Sequence, residues 1–204
     1  MILCIETNFL MGVATGREVG VETLLTLPPS ALRIALPAIC VMEAWSVFED
    51  ERKRRNAFRQ TLDTQISQLL RDRTSIHASA LGRHLQRAQA ENLDVLDDVA
   101  TRLRDVQGKL SGRQAGFSAA ELLTLSEGVL AQNPAAGPTE DPTDNLILAV
   151  ILEHARQNPG ETKVFLSGNT RDFGTDEIRA MLPDAGVSEY FARTEAFLGW
   201  FQSR

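Results

Sequence analysis

Four carboxylates sit beside the end of an expected strand or the start of an expected helix: Glu6, Glu43, Asp144 and Asp172. Glu6 follows the apolar run of residues 1–5 at once, and in a parallel α/β sheet ligands bind outside the carboxyl ends of strands. Glu43 lies inside Ile39-Cys40-Val41-Met42-Glu43-Ala44-Trp45, where an acid is costly to bury unless it is paired or metal-bound. Asp144 opens an apolar helix in the phrase Asp141-Pro142-Thr143-Asp144. Asp172 lies just past the apolar run 163–167, with Asn169 in the same turn. Each position also has a purely structural reading. Glu6 suits the first turn of a helix. Asp141, Pro142 and Asp144 make a complete helix start. Asp172 fits an Asx-type turn. As a set, hard oxygen donors at strand ends suit Mg²⁺, which takes carboxylates and keeps several waters.

Other chemistries find little support. His77, His84 and His154 make no zinc spacing, and Cys4 and Cys40 form no CxxC pair. No GxGxxG or GxxxxGK[ST] loop is present, and Ser167-Gly168 makes no nucleophile elbow. Both cysteines lie in apolar surroundings and read as buried free thiols, which points to a reducing compartment and to the cytoplasm. The opening MILCIETNFLM lacks a basic region and carries Glu6 early, unlike a signal peptide. The longest strongly apolar run, residues 146–152, is too short to span a bilayer, so no membrane partner is expected.

The elements that must position these acids follow from periodicity. Residues 1–5 read as a buried strand, with Thr7 capping a short helix over 8–13. Pro28 and Pro29 break the chain within residues 27–30. Leu32, Ile34 and Leu36 alternate as a second strand, closed by Pro37, where a helix can begin. Helical spacing then persists. Val41, Trp45 and Phe48 share a face, continued by Phe58, Leu62, Ile66, Leu69 and Leu70. Leu96, Val99, Leu103, Val106 and Leu110 repeat at 3-4-3-4 intervals, the seam of a helix packed on another. Residues 118–130 read as a helix boxed by Ser118 and Glu121. Residues 133–143 form a loop, 144–157 a buried helix, 163–167 and 187–191 strands, and 194–201 a terminal helix. Strands alternating with helices predict a parallel central sheet in a three-layer α/β/α fold. The 204 residues favour one domain, with residues 50–115 as a helical insertion.

Charge separates the same regions. Residues 50–115 hold 13 Lys+Arg against 9 Asp+Glu, whereas the remainder holds 8 against 18. An acidic body of this kind is explained either by a metal site or by an ordinary acidic surface, and a phosphate-bearing substrate would need the metal and a basic patch to offset repulsion. Arg52, Lys53, Arg54, Arg55 and Arg59 could supply that patch; i,i+4 pairs such as Glu51 with Arg55 explain them equally well.

The motifs resemble those of PIN domains in order and spacing. Ile5-Glu6-Thr7-Asn8-Phe9-Leu10 resembles the family's opening strand and turn. The segment from Pro37 to Trp45, with Glu43, looks like its second motif. Asp141 to Ala149 looks like the third, and Leu166-Ser167-Gly168-Asn169-Thr170-Arg171-Asp172-Phe173 like the fourth. The resemblance covers the chain outside 50–115, which small PIN toxins lack. One departure stands at the first acid, Glu6, where the family usually has Asp. The resemblance implies a Mg²⁺- or Mn²⁺-dependent endoribonuclease. Glu6, Glu43, Asp144 and Asp172 would be the catalytic metal ligands, and Asn8, Asn169 and Asp141 would support them. RNA is then the expected substrate, with an antitoxin or another protein as partner and a homodimer left open. The Glu6 departure keeps alive a catalytically weak or inactive PIN-like module that binds RNA or protein. A phosphohydrolase on another α/β fold would want an Asp nucleophile after the first strand, which Glu6-Thr7-Asn8 does not provide.

Overall fold

The computed structural model describes residues 1–18, 21–26, 32–111 and 120–204. They divide into two compact units, residues 1–44 with 103–204, and residues 45–102.

The first unit is built on a five-stranded, all-parallel sheet. Its strands are β1 (Ile2–Ile5), β2 (Arg33–Pro37), β3 (Ala120–Leu123), β4 (Lys163–Leu166) and β5 (Val187–Phe191), in the order β3-β2-β1-β4-β5. Every residue of β1 and β4 is buried, as expected of central strands covered on both faces. The helices are α1 (Thr7–Ala14), α2 (Val21–Thr26), α3 (Ala38–Leu69), α4 (Ile76–Leu110), α5 (Glu127–Leu130), α6 (Pro142–Gln157), α7 (Asp176–Asp184) and α8 (Thr194–Gln202). The architecture is three-layer α/β/α. In α6, Ile147, Leu148, Val150, Ile151, Leu152 and Ala155 are all buried, and each large aliphatic contributes about 1.5–3 kcal/mol by leaving water.

The strand order matters for function. From β1 the chain winds out through β2 to β3, then returns to the other side of β1 for β4 and β5. The winding direction reverses between β1 and β4, which opens a crevice at their carboxyl ends.

Two local expectations are corrected. Thr7 is not the cap of α1; Glu6 is, its carboxylate accepting from the Asn8 backbone N–H at 2.6 Å. The helix expected over 118–130 is not found among its described residues, 120–130, apart from its last turn. Residues 120–123 form β3, and α5 starts only after Ser126, whose hydroxyl accepts from Val129 N–H. Ser118, the expected cap, and residues 27–30, the expected break, lie outside the described residues.

The second unit consists of the distal parts of α3 and α4. Arg55 donates to Asn92 and Gln89 to Asp63, so the helices run antiparallel as a hairpin. Leu62, Ile66, Leu96 and Val99 are buried there, whereas Phe58 and Leu70, expected on the same apolar face, are exposed.

Candidate active site

Glu6 leaves β1 at the switch point and is 2% exposed. One of its oxygens takes the Asn8 N–H; the other, Oε1, is buried with no hydrogen-bond partner. Burial pushes its carboxyl up to about 7, against the pull of the Asn8 N–H and a hydrogen bond from Ser167, while the charges of Asp144 and Glu43 push it further up.

Glu43 lies in the second turn of α3, positioned by β2 and the break at Pro37. It is half-buried, and its carboxylate accepts from the Thr7 hydroxyl. Burial raises its pKa, the Thr7 bond opposes this, and the charge of Asp141 adds to the rise. Asp144 stands in the first turn of α6, 8% exposed. Burial raises its carboxyl to about 7, with Glu43, Asp172 and Asp141 adding repulsion and a hydrogen bond from Asn169 opposing it. The half-buried Asp172 ends a turn built on Asn169, whose amide donates to Asp144 at 3.2 Å and whose side-chain oxygen accepts from Asp172 N–H at 3.4 Å. Gly174 closes that turn. A Cβ there would lie 2.4 Å from the Thr170 carbonyl oxygen, which no side chain allows.

The four acids read from the sequence therefore act on one another at one end of the sheet. Asp141 supports them as the α6 cap, accepting from Thr143 N–H at 2.7 Å. Asn8 contributes its backbone N–H, and its side chain is exposed. Two residues not singled out as site groups also belong to the centre. Thr7 binds Glu43 and also holds Cys40, whose thiol burial keeps protonated. Ser167, 1% exposed, binds Glu6 and accepts from Asn169 N–H at 3.1 Å. Their partners lie far away in the chain, and only the adjacency of Ser167 to Asn169 could have hinted at a role.

Among the described residues, no three His, Cys, Asp or Glu side chains already stand in a coordination arrangement. The donor set nonetheless suits a hard divalent cation: carboxylates raised by burial and, to a lesser degree, by neighbouring carboxylates, and a buried carboxylate oxygen left without a partner. The basic cluster is largely self-paired. Arg52 binds Glu49, Lys53 binds Asp50, and Arg54 and Arg55 both bind Glu51.

The acids are thus collected at the switch point of a parallel α/β/α sheet, where this class of fold binds its ligands. The family model of the PIN domain matches residues 3–173, a stretch that contains all four acids. The chain belongs to the PIN-domain family, whose members are generally nucleases and typically use divalent metals. No curated protein and no solved structure matches it. Among the described residues, no helix is long and apolar enough to cross a membrane.

Proposed function

We propose that this chain is a metal-dependent endoribonuclease that hydrolyses RNA phosphodiesters, with Mg²⁺ or Mn²⁺ held by Glu6, Glu43, Asp144 and Asp172. One observation carries this reading: Glu6, Glu43 and Asp144 have pKa values raised above all by burial, with neighbouring carboxylates adding to the rise, and a Glu6 oxygen among them is unpartnered. Such a cluster is unfavourable without a cation and is relieved by one. When bound, the ion supplies a water of lowered pKa and offsets charge on the phosphate.

The chain's own residues set that site. Thr7 fixes the rotamer of Glu43, Ser167 that of Glu6, and Asn169 that of Asp144, so three ligands are oriented by one hydroxyl or amide each. Asn169 also ties Asp172 to Asp144, which fixes their spacing. The N-terminus of α6 directs its dipole toward the same end of the sheet and favours a phosphate there. An antitoxin or other protein partner, and a homodimer, are compatible with this reading, as is a role in RNA processing or defence.

A second reading is a module that binds RNA or protein with little or no catalysis. It is favoured by Glu6 in place of the usual Asp, and by Glu6 spending one oxygen on the cap of α1. Incubation of the purified protein with a mixed RNA pool separates the two. The nuclease predicts cleavage that requires Mn²⁺ or Mg²⁺, stops with chelator and is absent in Asp144→Asn. RNA retention without cleavage at any metal concentration would favour the second reading.

A further inference from the structure

Charge is unevenly placed in the hairpin of α3 and α4. Residues 64–90, its distal end, hold four Arg, no Lys and one Asp, a net +3 in a chain of net −6. The one acid, Asp72, is engaged by the turn. Its carboxylate accepts from the backbone N–H groups of Thr74 and Ser75, both at 3.0 Å, and from the Thr74 hydroxyl at 2.9 Å. Among the described residues, no carboxylate pairs with Arg71, Arg73 or Arg83. Arg83 donates to the Ser79 hydroxyl at 3.3 Å, and Arg87 pairs with Glu91 at 3.5 Å with its side chain 82% exposed.

The basic cluster at the other end of the hairpin differs. Arg52, Lys53, Arg54 and Arg55 already hold carboxylates of their own helix. The bond from Arg55 to Asn92 sets residues 91–98 of α4 at the same level, and these carry Glu91, Asp94, Asp97 and Asp98 with no Lys or Arg. An unpaired guanidinium binds an incoming anion without first giving up a carboxylate, so the distal arginines are the better anion site.

Two of these arginines share one stripe of α4. Ile76, Ala80, Arg83 and Arg87 recur at i, i+4, i+7 and i+11 over about 16 Å, and the exposed His77 and His84 run beside them. Ile76 is 77% exposed. The opposite face is occupied, with Gly82 against Leu69 and Leu70 and Gln89 bound to Asp63. The N-terminus of the 35-residue α4 adds positive partial charge at the same end.

We infer that this distal face binds the backbone of single-stranded RNA, with Arg83 and Arg87 on its phosphates and Arg71 and Arg73 beside them at the turn. The choice of RNA rests on the nuclease reading. Guanidinium forks match phosphate oxygens bidentately. A single strand also presents unstacked bases, which suits an exposed apolar side chain set among the arginines. An anionic membrane surface does not match. A helix lying in a lipid interface segregates basic from apolar residues, whereas Ile76 stands in line with Arg83 and Arg87, and the apolar face of α4 is taken by α3.

Binding of a labelled oligouridine to the full-length protein in chelator, followed by anisotropy across a salt series, tests the face. Without a cation the acidic centre repels phosphate, so the binding measured is that of the hairpin. Saturable binding is expected. Arg83→Gln with Arg87→Gln should weaken it at least about tenfold and lower the salt slope by about 1.4, at about 0.7 per phosphate contact on a single strand. Arg54→Gln with Arg55→Gln removes the same charge from the same hairpin and should weaken it less than about threefold. An absence of binding in chelator overturns the inference, as does equal or greater weakening by the α3 pair. Tight binding to phosphatidylserine vesicles with none to RNA also overturns it. Amide shifts on the wild type keep the test open where a variant fails to fold: RNA should move signals within residues 70–87, and shifts confined to residues 49–59 would refute the distal site. Cleavage with Mn²⁺ is measured separately. Cleavage by a wild type whose RNA affinity is untouched by the distal pair overturns this inference and leaves the nuclease reading. Binding lost in the distal pair, from a wild type that never cleaves, does the reverse.

Discussion

At the residue scale, the decisive group is Asp144. Its carboxyl is raised to about 7 in the folded protein, far above its value in an unfolded chain. A raised carboxyl binds its proton more tightly when folded, so its contribution to stability is fully present at low pH and is lost as pH rises from about 4 to about 7. In metal-free protein, Asp144→Asn should therefore be more stable than wild type by about 1–3 kcal/mol at pH 8, with the gain vanishing near pH 4. Urea unfolding in chelator at the two pH values measures this, and a pH-independent difference would refute the repulsion argument. The same variant should lose RNA cleavage by about a hundredfold or more, since several kcal/mol of charge stabilisation goes with the cation. Ser167 makes a subtler case. Ser167→Ala removes the hydrogen bond that opposes the upward shift of Glu6, so Mn²⁺ affinity should fall about tenfold. Cleavage at saturating Mn²⁺ should recover most of its rate; a loss that metal cannot rescue would give Ser167 a different role. The acids could be read in the sequence because strand ends and helix starts leave local signals, such as Asp141-Pro142 ahead of Asp144. The hydroxyls that orient them could not, because Thr7 meets Glu43 across 36 positions and no local pattern encodes that contact.

At the scale of elements, the missed strand and the loop before α6 show what tertiary contacts decide. Ala120-Glu121-Leu122-Leu123 is built from good helix formers, yet it pairs in register with residues 34–37 of β2. Pairing with a sheet already formed outweighs a preference of a few tenths of a kcal/mol per residue. Strands β1, β2, β4 and β5 were legible because apolar runs and alternation are themselves the consequence of burial. The loop ahead of α6 depends on Asn145, 6% exposed, whose side chain accepts from the Thr139 N–H and hydroxyl and donates to the carbonyls of Pro134 and Thr139. Asn145→Ala removes all four of these bonds, although the Thr139 hydroxyl keeps the Asp141 carbonyl and the Pro134 carbonyl keeps the Gly137 N–H, and should cost about 2–4 kcal/mol in urea unfolding. A cost below about 0.5 kcal/mol would mean that the loop is held by other contacts. On α3, the basic face spends most of its charge on Glu49, Asp50 and Glu51. If RNA engages it, each arginine must exchange a carboxylate for a phosphate, so reversing Arg54 and Arg55 to Glu should weaken RNA binding and lower the salt slope by at most about one per residue. Unchanged affinity and slope would assign the face to helix stability alone.

At the scale of the whole molecule, the two compact units divide the chemistry from the hairpin. All four acids, their supporting hydroxyls and amides, and the whole sheet belong to residues 1–44 and 103–204, while residues 45–102 form their own small core around Leu62, Ile66, Leu96 and Val99. The helical periodicity of α3 and α4 was legible. The unit boundary was not, because both helices run on across it and leave no break in the pattern at Ala44 or Leu103. The division has a thermodynamic consequence. A ligand stabilises the states it binds by RT ln(1 + [L]/Kd), about 2.7 kcal/mol at a hundredfold excess over Kd. A cation held by Glu6, Glu43, Asp144 and Asp172 stabilises whichever cooperative unit contains them. Hydrogen exchange with and without saturating Mn²⁺ should therefore show slower exchange for the slowest amides of β1, β2 and β4, and unchanged rates for amides within residues 45–102. Equal slowing in both would show that the hairpin unfolds together with the sheet as one cooperative unit. No slowing in either would remove the cation from this end of the sheet, and would leave Glu6 as the cap of α1 and Asp144 as a first-turn acid of α6.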